Sequence, residues 1–284
     1  MDIYGAATYF DGIPVTDTAN STLLFTGQLD LYDAAVKDSL AGWRRTVSAA
    51  AVTLPSDGVV TVNGRNYLAG RVIDDVFLSQ TIRQHLLLHP CDVGSFSMGT
   101  ALAFLTTPQT LASFYGAAEL RKELKEEGTS SQFFNVYNIF MSKTETPVRD
   151  YIIKGPDNRY YRVENVEEQS GGLQDAVAND LGTSVFTTLT YNAQGTYNSS
   201  TDTYGTTPTN NVKCFVERYQ DNYRYLTQAA TKYQNGDKVI TVSPAVITSP
   251  KTGDTATPSG MGTFNVIGAQ SDGLGAWELH VRPV

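Results

Sequence analysis

The chain has 284 residues and a net charge of −8, with 41% hydrophobic and 18% charged residues and two cysteines. That length can bury a substantial core without disulfide or metal staples. The negative charge argues against nucleic-acid binding by phosphate neutralisation, which needs clustered Lys and Arg. The 16 Tyr and 12 Phe favour pleated, half-buried surfaces, so the composition leans towards sheet.

The start, Met1-Asp2-Ile3-Tyr4-Gly5, lacks the basic residues and apolar core of a secretory signal, and no run approaches the ~20 apolar residues needed to span a bilayer. The expectation is synthesis in the cytoplasm, with no membrane partner. Residues 1 to 30 read as an irregular arm running into a first strand at Leu23-Leu24-Phe25. Tyr32, Ala35, Val36, Leu40 and Trp43 then follow a rough helical spacing.

From Arg44 the pattern turns to strands. Val59-Val60-Thr61-Val62, Asn63-Gly64 and Tyr67 to Ile73 predict a hairpin over about 59 to 73, because both central residues of a two-residue type I′ turn need positive φ. Gln84 to Leu120 contains only Asp92 and Glu119 as acids and no Lys or Arg, so much of it is expected to be buried in the fold or against a partner. Phe114 to Glu127, with Ala117, Ala118, Leu120 and Leu124 beside a run of charges and Gly128 at its end, predicts a helix.

A second hairpin is predicted at Tyr151 to Lys154, a Gly155-Pro156-Asp157-Asn158 turn, and Tyr160 to Val163. It repeats the plan of the first, with Arg159-Tyr160 answering Asn66-Tyr67, as two related barrel-like modules would. Leu173 to Val212 holds three acids and no Lys or Arg. Its Thr, Tyr, Asn and Gly suit an extended hairpin that orders against a neighbour. Strands follow at Val212 to Tyr219, Val239 to Val242, Ala245 to Thr248, Thr263 to Gly268 and Trp277 to Val281, where Glu278 to Arg282 alternates as a closing strand.

These readings predict a mainly β chain of β-barrel or sandwich modules with long loops and one or two short helices. A β-barrel-like module with an N-terminal arm occupies 1–110, a helix lies within 111–130, and a second β-rich module spans 131–284, with an extended arm at about 173–212.

Candidate chemistry is sparse. His85 and His89 stand at i, i+4 with Cys91 and Asp92 close behind, but no Glu completes an HExxH pattern, and Leu86-Leu87-Leu88 can equally be a buried strand. Ser95-Phe96-Ser97-Met98-Gly99 lacks the first glycine of GxSxG. The glycines of 260–262 and 268–275 lack the Lys-Ser/Thr of a phosphate cradle. The neighbours Asp74-Asp75 and Glu167-Glu168 point to opposite faces of a strand and form no cooperating carboxylate pair. Cys91 and Cys214 lie far apart and outside any CxxC. No catalytic, cofactor-binding or metal-ligating residue is assigned, and the chain reads as a structural protein and not an enzyme.

The stretch Leu31-Tyr32-Asp33, Asp38-Ser39, Trp43 to Ser48, Pro55, Gly58 to Gly64, Tyr67 to Gly70, Asp74 to Phe77 and Ile82-Arg83 resembles the small β-barrels of tailed-bacteriophage neck proteins of the head-completion or stopper type. The resemblance implies a virion component made in the host cytoplasm, a head-to-tail connector subunit that forms a homo-oligomeric ring between a portal or adaptor protein and the tail proteins. Double-stranded DNA would pass along its acidic wall without sequence-specific binding. A capsid decoration or tail-tube protein, or a non-viral β-sandwich carbohydrate-binding module, are the alternatives.

Overall fold

Asn63 and Gly64 have φ of 50° and 70°, the two positive values that a type I′ turn requires, and they join strands whose outer pair is Val59↔Leu68. Around this hairpin the described residues fold mainly into sheet. The computed structural model describes residues 12–31, 45–55, 57–109, 111–127, 130–168, 173–218, 234 and 236–284. The N-terminal residues 1–11 and the helix expected between Tyr32 and Trp43 lie outside them.

Three closed barrels of six strands each account for the sheet. The first uses β1 (Ile13–Asp17), β2 (Leu23–Leu31), β3 (Arg45–Ala49), β4 (Val59–Val62), β5 (Arg65–Phe77) and β6 (Gln80–Pro90). The second uses β7 (Asp92–Gly99), β8 (Ala112–Glu127), β9 (Ser130–Ser142), β10 (Ile152–Lys154), β11 (Tyr160–Glu168) and β12 (Leu173–Gly182), with the short helix α1 (Ala101–Leu105) between β7 and β8. The third uses β13 (Phe186–Asn198), β14 (Thr203–Arg218), β15 (Lys238–Val242), β16 (Thr255–Pro258), β17 (Phe264–Ser271) and β18 (Trp277–Pro283).

Numbered one to six within each barrel, the strands close in the same cyclic order, 1-2-3-6-5-4, all three times. The first and third barrels also share their register. Val15 of β1 opposes Val62 and Phe25, and Leu189 of β13 opposes Pro258 and Val212. Val47↔Leu86 matches Ile240↔Leu279, and Tyr67↔Pro90 matches Phe264↔Pro283. Even the bulges coincide: register shifts follow Val15 and Leu189 in the first strands, and Ala69 and Val266 in the fifth. A bulge bends and twists a strand, so the matching bulges bend the first and third barrels at the same places. The two hairpins that look alike in the sequence are strands four and five of consecutive barrels, and β16–β17 is the third version.

Each barrel fills its interior from alternate positions along its strands. Val15, Val47, Val60, Val62, Leu86 and Leu88 meet inside the first, and Leu189, Val212, Ile240, Val266, Leu279 and Val281 inside the third. A buried aromatic holds the same place in strand five of every barrel, at Tyr67, Tyr161 and Phe264. Packing divides the chain into two compact units, Met1–Ser97 with Ser113–Arg149 and Val163–Ala178, and Met98–Ala112 with Asp150–Arg162 and Asn179–Val284.

Several expectations are corrected. The helix predicted over 114–127, within 111–130, is strand β8, paired with β9 from Gly116↔Met141 to Glu127↔Ser130. Ladder pairing along the whole segment overrides its helix-favouring composition. The sheet makes three barrels rather than the two modules placed at 1–110 and 131–284. Leu173 to Gly182 is no part of an arm: β12 is buried from Leu173 to Asn179 as a wall of the second barrel. Ala245 to Thr248 is turn and bend, not strand.

Strand two meets strand three so closely that barrel one has no room for a Cβ at Gly27 and barrel two has little at Gly116. A Cβ on Gly27 would lie 2.7 Å from the Ser48 carbonyl oxygen, and one on Gly116 would lie 3.1 Å from the equivalent Phe140 oxygen, while the third barrel admits Cys214 there. Gly64 is different, with nothing within 4 Å of its absent Cβ, so its cost on substitution is purely conformational. Gly64→Val is therefore expected to destabilise the chain by about 1 kcal/mol or more in urea titrations, and Gly64→Asn by much less, because Asn tolerates positive φ.

Candidate interaction surfaces

His85 and His89 lie on strand β6, not on a helix, and four residues along a strand is about 13 Å, too far for one ion to bridge. Each has a carboxylate of its own. His85 has Nε2 2.7 Å from Asp75 Oδ2 and Nδ1 2.8 Å from Ser48 Oγ. His89, 3% exposed, has Nδ1 2.9 Å from the Pro90 carbonyl oxygen and Nε2 2.9 Å from Glu119 Oε1. The His89 ring thus sits between a backbone carbonyl and the Glu119 carboxylate, whose own side chain is partly exposed.

The remaining candidates are dispersed. Asp74 accepts from Gln84 Nε2 while Asp75 serves His85, so the adjacent acids work separately. Glu167 and Glu168 reach Arg121 and Lys143 at 3.9 and 4.0 Å. Ser97 and Gly99 belong to strand β7, and Gly260, Gly273 and Gly275 take positive φ in turns. Cys91 is partly exposed, whereas burial pushes the Cys214 thiol up to about 12. Among the described residues no three His, Cys, Asp or Glu side chains are grouped to hold a metal ion.

What the fold does assemble is a repeated docking contact. In the first compact unit the outward residues Val59, Leu68 and Leu87 of barrel one pack on Phe140 and Leu173 of barrel-two strands, and His89 pairs with Glu119 of β8 beside them. In the second unit Ile152 and Tyr160 pack with Phe104 of α1 and with Phe215 of β14, and Arg162 pairs with Glu217 of β14. Arg162 Nη2 and Nε donate to the two oxygens of Glu217, whose side chain is 1% exposed. Both contacts set a basic residue from strand five or six of one barrel against a glutamate on strand two of the next.

Two hairpins project apolar or aromatic groups into solvent. The β5–β6 hairpin turns through Leu78 and Ser79, with φ of 50° and 64°, and exposes Val76, Phe77, Leu78 and Ile82, Leu78 by 83%. A leucine held in the left-handed region and exposed to water costs stability twice over, through backbone strain and through unburied apolar surface. The β13–β14 hairpin carries the cross-strand pair Tyr197 and Tyr204, with rings 5.1 Å apart and tilted by 53°. Its Tyr, Thr and Asn content makes this second hairpin legible in the sequence as an extended arm. The first is not legible, because Leu78-Ser79 lacks the Gly, Asn or Asp that a turn with two positive φ values usually carries.

The chain is thus a mainly β protein built from three β-barrels of one topology. No family model matches it, nor does any curated protein or solved structure. No helix among the described residues is long and apolar enough to cross a membrane.

The buried pair supplies a mutational test. Arg162→Ala strands Glu217 in the junction and is expected to cost about 3–5 kcal/mol in denaturant titrations, while the double variant Arg162→Met, Glu217→Leu recovers most of that loss. Acid supplies another. Burial lowers the pKa of His280 below its usual 6.5. Its contribution to stability is complete above 6.5 and is lost as pH falls through the lowered folded-state value, because the unfolded chain binds the proton first. Asp237 follows at lower pH: burial raises its pKa, but hydrogen bonds from Arg282 and from the Gln234 amide outweigh that and hold it below 3.8. Unfolding free energies measured across pH should show the earlier step in the wild type and not in His280→Gln.

Proposed function

We propose that this chain is a structural component of a tailed-phage virion that works by self-association, as a head-to-tail connector ring subunit joining portal to tail around the DNA channel. The observation that carries the reading is the β5–β6 tip. An isolated monomer gains nothing from a strained, exposed Leu78 flanked by Val76 and Phe77, whereas an assembling subunit buries such a tip against a neighbour. The closed first barrel agrees with the small barrels that residues 31–83 resemble. The net charge of −8 suits a wall past which a duplex slides without sticking.

A tail-tube or capsid decoration role would use the same tip and differ in copy number. A carbohydrate-binding role would draw on Tyr197 and Tyr204, whose tilted rings offer no single flat platform for a sugar face.

Sedimentation velocity and native mass spectrometry of the full chain test the assembly reading. The wild type is expected to form one discrete ring-sized oligomer, and Phe77→Lys, Leu78→Asp to remain a folded monomer. A wild type that stays monomeric at its highest soluble concentration would overturn it. Peptide quantification in purified particles tests the station: ring stoichiometry supports the connector, and shell or tube stoichiometry replaces it.

A further inference from the structure

The docking contact that is used twice inside the chain has counterparts of its two halves at further register positions. The acid of each contact lies three residues beyond the strand-two position of Gly116 and Cys214, at Glu119 and Glu217, opposite Asn138 and Val239. In barrel one the corresponding glycine is Gly27, and three residues on stands Asp30, opposite Thr46. All three barrels therefore carry an acid at this place in strand two.

The basic half recurs too. His89-Pro90 ends strand six of barrel one, with Leu68 opposite His89 and Val59 opposite Leu68. Arg282-Pro283 ends strand six of barrel three in the same register, with Asn265 opposite Arg282 and Thr255 opposite Asn265. Arg282 thus holds the place from which His89 reaches Glu119. It donates from Nε and Nη2 to Asp237 at 3.0 and 2.9 Å, and a guanidinium carries enough donors to serve a second carboxylate, as Arg159 serves both Asp157 and Asp180.

From this correspondence we infer that copies of the chain dock head to tail, the Arg282 face of barrel three in one copy meeting the Asp30 strand of barrel one in the next. The inference rests on the self-association proposed above and names the surfaces that would carry it. The change in side chains from one face to the next fits that use. Val59 and Leu68 of barrel one and Ile152, the counterpart of Val59 in barrel two, are covered within the chain and can be apolar, whereas Thr255 and Asn265, at the same two places in barrel three, must meet water until another copy arrives. A contact between unlike surfaces is heterologous, and such contacts close into rings when the rotation permits. A contact carried by opposite charges across a polar face also makes the assembly sensitive to salt.

Charge exchange tests the contact. Asp30→Arg and Arg282→Asp, each in the full chain, are expected to weaken association at least tenfold in sedimentation, and the two together on one chain to restore it. Because Arg282→Asp also places an acid beside buried Asp237, a second measurement leaves Arg282 intact. In a Cys91→Ala background, Asn265→Cys copies mixed with Asp30→Cys copies should be joined by a short bis-maleimide, while Asn265→Cys copies alone should not. Oligomers that survive Asp30→Arg unchanged, or efficient joining of Asn265→Cys copies to one another, would overturn the head-to-tail contact and leave self-association standing. A wild type that is monomeric throughout would instead remove the self-association on which it rests.

Discussion

Closure of each six-stranded sheet is the constraint on which this protein depends. An open sheet leaves a row of unpaired backbone donors and acceptors at each edge, and closing strand one onto strand four removes both edges at once. Closure requires strand tilt, stagger and register to agree around the whole circuit. That is why the bulges after Val15 and Leu189, and after Ala69 and Val266, recur at matching places although the side chains around them differ. With the edges paired internally, contact with other surfaces falls to outward-facing side chains and to hairpins that run past the barrel wall.

Those outward side chains differ from face to face in a way that follows from when each is covered. Apolar residues and a buried ion pair form the contacts made within the chain, where synthesis guarantees the partner. The buried pair Arg162–Glu217 lends orientation more than net stability, since desolvating two charges consumes most of their attraction. A charge pair among apolar neighbours tolerates one docking register and penalises the rest, and this suits modules that must meet in one way. The third barrel presents threonine and asparagine at the corresponding positions, so its face is soluble by itself.

Local chemistry is enough to read some of this protein from its residues. Asn63-Gly64 specifies its turn because few residues accept positive φ, and Glu278 to Arg282 shows its strand through strict alternation. The β character follows from Tyr, Phe, Thr and Val content. His85 and His89 are separable as ligands once Leu86-Leu87-Leu88 is read as a strand, whose length holds them apart.

Only the tertiary structure decided the rest. Phe114 to Glu127 has the composition of a helix, and its pairing with β9, a long-range contact, makes it a strand. The triplication is hidden because register is a property of backbone pairing, which leaves side chains free to diverge: Leu68, Arg162 and Asn265 hold one place, as do Gly27, Gly116 and Cys214. By itself the sequence determined the class of fold and its tightest turns, where one or two residues dictate the backbone. Which strands neighbour one another, and hence that His89 and Arg282 or Asp30, Glu119 and Glu217 are counterparts, depends on hydrogen bonds between segments distant in the chain, and those exist only once each barrel has closed.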